Sequence, residues 1–239
     1  MMYVDAHCHL AEFGIAEIKS FLSDILIVAV ADDVTSSQFV IDMAKYEQNV
    51  IPCVGIHPWE VYKSELKEVD RIQRLLDEND IKCLGEIGLD KKFTPDTWLY
   101  QIKLFERFLA LAKEYDLILN LHAAGAWGEV YEMIVKYDID KAIFHWYTGP
   151  LDLIDNIVGN SYYISINPAV RIQEKHKRVV ENTDINHILT ESDGPYKYRG
   201  MLLSPSLIPE LVKIIANIKG LSVVQTREIL WRNFRRIFT

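Results

Sequence analysis

Short apolar runs rich in β-branched residues recur along the chain at Tyr3–Asp5, Ile25–Val30, Val50–Gly55, Ile81–Glu86, Leu117–Leu121, Ala142–His145, Tyr162–Ile166 and Ile188–Glu191. Their near-continuous apolar character predicts parallel strands buried on both faces. Between them, apolar positions return at helical spacing. Leu99, Ile102, Phe105, Leu109 and Ala112 form one stripe, and Leu207, Leu211, Ile214, Ile215 and Ile218 another. The last helix carries Leu230, Phe234 and Ile237, with Arg227, Arg232, Arg235 and Arg236 read as its solvated face. Strands alternating with helices predict βα units and a parallel sheet. About eight such strands predict an α/β fold of the TIM-type (β/α)8 barrel kind, a single domain over residues 1–239. An open doubly wound sheet fits less well, because neither G-x-G-x-x-G nor a P-loop follows the first strand.

Composition narrows this further. Hydrophobic residues make up 49% of the chain, enough for a large buried core and against disorder. No apolar run reaches the roughly 18 residues of a membrane span, and the chain opens directly on a strand-like MMYVDAHCHL, so a cytoplasmic protein is expected. The net charge of −8 argues against extended wrapping of a nucleic-acid duplex, which relies on many Lys and Arg contacts. A substrate gripped locally remains open, because bound metal ions would add positive charge. Cys8, Cys53 and Cys83 form no C-x-x-C pair and are read as small buried hydrophobes of a reducing compartment.

The chemistry sits at the strand ends. His7 and His9 in DAHCH are two residues apart on the first strand, so both rings point to one side, with Asp5 one step deeper. Glu86 ends the fourth strand, His122 the fifth and His145 the sixth, and Asp193 follows the eighth. A barrel gathers the carboxyl ends of its strands on one face, so these distant residues converge there. Histidine and carboxylate without thiolate suit Zn, Mn, Co or Ni, and Mg less naturally. Six ligands exceed one tetrahedral ion, which points to two divalent ions about 3.5–4 Å apart sharing a carboxylate. Lys91, Lys92, Lys197 and Arg199 lie on loops expected to open on this face and are candidate phosphate contacts. His176 and His187 are read as structural.

The ordered set DAHCHL, GIHPW, GEIGLD, the His122 and His145 strand ends, ESDGPY and a closing NFRRIF resembles the TatD family of metal-dependent deoxyribonucleases, within the amidohydrolase-like barrels. The resemblance runs from about residue 3 to residue 238. It implies that His7, His9, Glu86 and Asp193 hold one metal, and that Glu86 bridges to a second completed by His122 and His145. It also implies a metal-activated water with Asp193 as general base, His57 on a substrate phosphate, Asp90 orienting a ligand, and a substrate of DNA trimmed from its 3′ end. Trp59 is a candidate for stacking a base. Two departures stand out: Ala124 occupies the place of the family's Arg in H-x-R, and Leu203 and Ser204 replace Asn-Glu before Pro205. They motivate an alternative, a two-metal hydrolase of another ester or amide, such as a small molecule or an aminoacyl-tRNA.

Overall fold

The computed structural model describes residues 2–61 and 67–238. Eight strands form one sheet: β1 (Tyr3–Cys8), β2 (Ile25–Val30), β3 (Val50–Val54), β4 (Cys83–Gly88), β5 (Ile118–His122), β6 (Ala142–Phe144), β7 (Tyr163–Ile166) and β8 (Ile188–Thr190). They neighbour one another in sequence order and every pair is parallel, as the βα alternation predicts. Side-chain and loop bonds bring β8 back to β1: Thr190 Oγ1 donates to the Val4 carbonyl at 2.6 Å, and the Asp193 N–H to that of His7 at 2.9 Å. The result is a nearly closed barrel. A two-stranded hairpin, β9 (Lys197–Tyr198) with β10 (Met201–Leu202), follows β8.

The helices are α1 (Ile15–Leu22), α2 (Val34–Tyr46), α3 (Lys67–Glu78), α4 (Trp98–Tyr115), α5 (Trp127–Lys136), α6 (Leu153–Gly159), α7 (Glu174–Asn182), α8 (Ile208–Lys219) and α9 (Val223–Phe238). One apolar layer lies between strands and helices, where Leu84, Leu119, Phe144 and Ile164 meet Phe105, Leu109, Ile134 and Ile215. On α4 the buried stripe is rotated from the expected one. Leu99 is 71% exposed, and Gln101, Leu104 and Phe108 face inward with Phe105, Leu109 and Ala112. Leu99 falls on the outer side of the first turn, while Gln101 turns inward, its Oε1 accepting the Asp90 N–H at 2.7 Å and its Nε2 donating to the Asp90 carbonyl at 3.1 Å.

A second, smaller cluster fills the barrel itself. It takes Val4 and Ala6, Val28 and Val30, Cys53, Cys83, Ile118, Ile143, Tyr163 and Leu189. Phe234 and Ile237 of α9 join this cluster, and Asn233 donates to the Ile185 and Ile188 carbonyls at 2.7 and 2.8 Å. Helix α9 thus plugs the amino-terminal end. Cys53 and Cys83 are register partners on β3 and β4 and are joined by a disulfide. The expectation of three unlinked cysteines therefore holds only for Cys8, which is free and buried. The pairing of β3 with β4 brings together residues 30 apart in sequence, a proximity that residue spacing does not reveal.

Counting by twos along the inner face leads from the apolar layer to the polar end. Ile118 leads to Asn120 and His122, Ile143 to His145, Tyr163 to Ser165, and Leu189 to Glu191 and Asp193. The same count from Ala6 and Cys83 would turn His7 and Glu86 outward. Register irregularities between Asp5 and Cys8 on β1, and between Leu84 and Ile87 on β4, reset the count. Such bulges re-aim side chains beside functional sites. Asp5 stands before the irregularity and does not join the cluster; its carboxylate accepts the N–H of Ser192 at 2.8 Å and of His7 at 3.2 Å. No helix among the described residues is long and apolar enough to cross a membrane.

Candidate metal centre

The carboxyl ends of the strands open into a cleft of about 1220 Å³. Glu86 is buried at its floor, and its two oxygens face two groups of imidazoles. Oε2 lies 3.1 Å from His7 Nε2 and 3.3 Å from His9 Nε2. Asp193 Oδ1 completes this side at 3.6 and 3.5 Å from the same two nitrogens. Oε1 lies 2.6 Å from His122 Nδ1 and 3.6 Å from His145 Nε2. The six residues are thus brought together as two sets of donors sharing one carboxylate. Gly88 helps set this spacing: it has φ +142°, and a Cβ there would run into the His122 carbonyl. Only glycine lets β4 approach the end of β5 so closely.

The atoms behind each ring assign its tautomer. Asn120 Nδ2 donates to the Ala6 carbonyl at 2.7 Å, so its Oδ1 accepts the proton of His7 Nδ1 at 2.8 Å. Asp32 accepts from His9 Nδ1 at 3.2 Å, and Glu191 from His145 Nδ1 at 3.2 Å. Each of these three rings, when neutral, turns an Nε2 lone pair toward Glu86. His122 is reversed, with Nε2 donating to Asp90 Oδ2 at 2.9 Å and Nδ1 facing Glu86. His7 and His9 aim their Nε2 atoms at one another across 3.4 Å. Opposed lone pairs beside two carboxylates repel, and a cation between them removes the repulsion. The donor set fits divalent metal on both sides of Glu86.

Charge reinforces this. Burial alone would raise the pKa of Glu86, but His57, His7 and His145 outweigh it and hold the carboxylate well below its usual range. Burial opposes a proton on His7, yet Glu86 raises its pKa to about 9. His122 is likewise pushed up to about 9, against burial, by its bonds to Asp90 and Glu86. The buried carboxylates thus favour positive charge on His7 and His122, at the place where a divalent cation would supply it.

His57 behaves differently. Its Nδ1 accepts the Trp59 N–H at 3.1 Å, so the neutral ring carries its proton on Nε2, 3.3 Å from Glu86 Oε1. Burial, the largest influence, lowers its pKa. His57 is within ligand distance of Glu86 and His122 but presents a donor rather than a lone pair.

Other expected contacts separate. Lys91 pairs with Glu129 and sits 4.6 Å over Trp98, and it does not line the cleft; Lys92 does. Arg199 lies 5.4 Å over the Tyr198 ring, also outside the cleft lining, and Lys197 is exposed on β9. Asp90 Oδ1 accepts the N–H groups of Lys92 at 2.8 Å and Phe93 at 2.7 Å. Burial opposes its charge, but the His122 and Phe93 bonds hold its pKa at about 2. His176 is fully buried, bonded to the Tyr147 carbonyl and the Asn167 N–H, in keeping with a structural reading.

Sequence reasoning missed Asn120, Asp32 and Glu191, the groups behind three ligand rings. Asn120 and Glu191 each precede a ligand by two residues on the same strand face, the signal that could have found them. Asp32 instead depends on the α2 cap, where Ser36 Oγ accepts the Asp32 N–H at 2.9 Å and Asp33 accepts the Ser36 N–H at 2.7 Å. Glu191 is the most heavily used. Besides His145 it accepts the Trp146 N–H at 2.8 Å, the Ser165 hydroxyl, and Asn167 Nδ2 at 3.4 Å.

The chain matches a family model described as TatD related DNase over residues 4–239. An uncharacterized metal-dependent hydrolase of Methanocaldococcus jannaschii is 28% identical, with 99% of this chain and 96% of that protein covered. Among solved structures, a TatD homolog of Escherichia coli superposes with a TM-score of 0.88 at 21% identity, covering 97% of this chain and 95% of the other. A TatD family hydrolase of Entamoeba histolytica gives 0.84 at 17% identity, covering 99% and 98%.

Proposed function

Because the chain belongs to the TatD-related DNase family and is a metal-dependent hydrolase, we propose that it hydrolyses phosphodiester bonds of DNA, removing nucleotides from a 3′ end. The observation that carries this reading is the division of Glu86, one oxygen toward His7 and His9 and the other toward His122 and His145. That arrangement suits two divalent ions, of Zn, Mn, Mg, Co or Ni, which when bound polarise the phosphoryl group and activate water.

The protein's own groups do the rest. Glu86 stays ionised and holds both halves of the site at a fixed spacing. Asp193 Oδ1, beside His7 and His9 at the edge of the cleft, takes the proton of the attacking water as general base. His57 donates its Nε2 proton to a non-bridging phosphoryl oxygen. Asn120, Asp32, Glu191 and Asp90 keep each ligand ring in one orientation, so no reorganisation is needed when charge builds in the transition state.

Purified protein with Mn²⁺ or Mg²⁺ is expected to shorten single-stranded DNA, with His7→Ala, Glu86→Ala and Asp193→Ala each abolishing it. Full activity in all three variants overturns the reading. One observation favours a second substrate class: Ala124 lines the cleft where the family carries Arg, so that position supplies no charge and the nearby cation is Lys92 beside Gly125. Metal-loaded protein inert on DNA but active on a panel of carboxylic esters and amides selects this alternative.

A further inference from the structure

The cleft is far larger than two ions and a phosphate require, and its walls are aromatic. Trp59 and Phe93 follow β3 and β4, pack edge to face with centroids 5.6 Å apart, and are 40% and 55% exposed. Trp146 follows β6, and Tyr196 and Tyr198 follow β8. Their rings lie 5.8 and 5.2 Å from that of Trp146, both edge to face, and Tyr196 is 44% exposed. In a barrel of eight strands in sequence order, these groups flank the metal centre from different sides. In an edge-to-face pair, the ring that offers its edge keeps both faces clear of its partner.

The Trp146 wall has the marks of a built surface. Trp146 adopts φ +39°, a left-handed conformation that a bulky side chain rarely takes. Its N–H is held there by Glu191 at 2.8 Å. Its indole Nε1 donates to Gln173 Oε1 at 3.0 Å, which satisfies the ring's one polar atom and fixes the ring on the cleft wall. Backbone strain of this kind persists where surrounding structure enforces it, and it gathers at ligand clamps. Gln173 also directly precedes α7, whose Lys175 and Arg178 lie about one helical turn apart on one side and line the same cleft. Neither enters an ion pair among the described residues, although the chain carries 34 acidic side chains.

Resting on the phosphodiesterase reading, we infer that Trp146, Tyr196 and Tyr198 form the subsite for the nucleoside on the polymer side of the scissile bond, and that Lys175 and Arg178 take the next phosphates. A phosphodiester carries a nucleoside on each side of its phosphorus. The Trp59 and Phe93 wall then faces the departing nucleotide. Stacking on rings that line a cleft requires an unpaired base, so the substrate enters as a single strand. A small ester has no use for two aromatic walls and a distant pair of cations.

The test measures kcat and KM of the Mn²⁺-loaded enzyme on oligothymidylates of two, four and six nucleotides, and on a hexanucleotide lacking the base next to the scissile bond on its polymer side. KM should fall about tenfold from two to six nucleotides as the outer phosphates engage. Lys175→Gln with Arg178→Gln, both on exposed positions, should raise KM for the hexanucleotide about tenfold and for the dinucleotide less than threefold. Loss of the base should raise KM about tenfold in the wild type, the size of one stacking contact. That penalty should vanish in Trp146→Ala; if this variant loses its metal, Tyr196→Ala takes its place. A KM independent of length, a charge variant that keeps the wild-type length dependence, or a base penalty that survives in the aromatic variant overturns the inference while DNA cleavage stands. Wild-type protein that cleaves none of the strands overturns the proposed function, and this inference with it.

Discussion

The two ends of the barrel are built from the same strands and do opposite things. At the amino-terminal end the inner face carries Val4, Ile118, Ile143, Tyr163 and Leu189, sealed by Phe234 and Ile237 of α9. Two to four residues further on, the same face carries His122, His145 and Asp193, which line the cleft, and Glu191, buried behind His145. The apolar end gains free energy from burial and packing. The polar end spends some of it, because buried carboxylates and imidazoles without a cation are desolvated and crowded. Stability and chemistry are thus separated along each strand by about one strand repeat, and substitutions at one end should leave the other intact.

The largest expected effect tests the polar end. Glu86→Gln should lower the rate of phosphodiester hydrolysis by a factor on the order of 10³ or more, since it removes a charge shared by both ligand sets. Bound metal, counted by elemental analysis, should fall with it, while the urea midpoint stays unchanged or rises. A variant that keeps its metal breaks the comparison. Phe234→Ala tests the opposite end: it should cost about 3–5 kcal/mol in urea denaturation. Metal content and kcat should persist at temperatures where the variant is folded. Loss of metal affinity in the folded variant would show that the ends are coupled.

A third prediction concerns pH. His176 is buried, and burial lowers its pKa from 6.5 to about 4. The unfolded chain therefore binds a proton that the folded one refuses. The stabilisation from its neutral form is complete above pH 6.5 and is lost as pH falls toward 4, about 3 kcal/mol in all. Urea denaturation from pH 7 to 4 should show this decline, and His176→Gln should lack that part of it. Equal slopes in both proteins would assign the acid sensitivity elsewhere. The smallest effect sharpens the boundary between the ends. Glu191→Gln should weaken metal binding by about 10–100-fold, because the group behind a ligand ring sets its orientation. Metal competition titration reads this directly, and the change should fall on one of two binding steps. Equal weakening of both would argue against a role confined to His145.

Much of this was legible from residues alone. The eight apolar runs mark the eight strands to within a few residues, and the helical stripes mark the helices between them. The six proposed ligands were legible too, because each is a polar residue closing an apolar run. Other features were hidden. Of the basic residues that follow the motifs, Lys91, Lys197 and Arg199 lie outside the cleft lining and only Lys92 joins it, whereas Lys175 and Arg178, on a helix that reads as an ordinary charged surface, also line it. The left-handed backbone of Trp146 and its place on the cleft wall had no local signal in the sequence.

The alternation of eight apolar runs with helical stripes pointed to the barrel: strands buried on both faces favour a parallel sheet covered by helices, and their number favours closure. Strand ends determined which residue types meet on the open face. Which way two of those residues point was settled only in the folded molecule. Strict alternation turns His7 and Glu86 outward, and the register irregularities on β1 and β4 bring them in. The disulfide between Cys53 and Cys83 and the left-handed Trp146 held by Glu191 belong to the same class. Each depends on contacts between strands far apart in the chain, where the local pattern of apolar and polar residues carries no information.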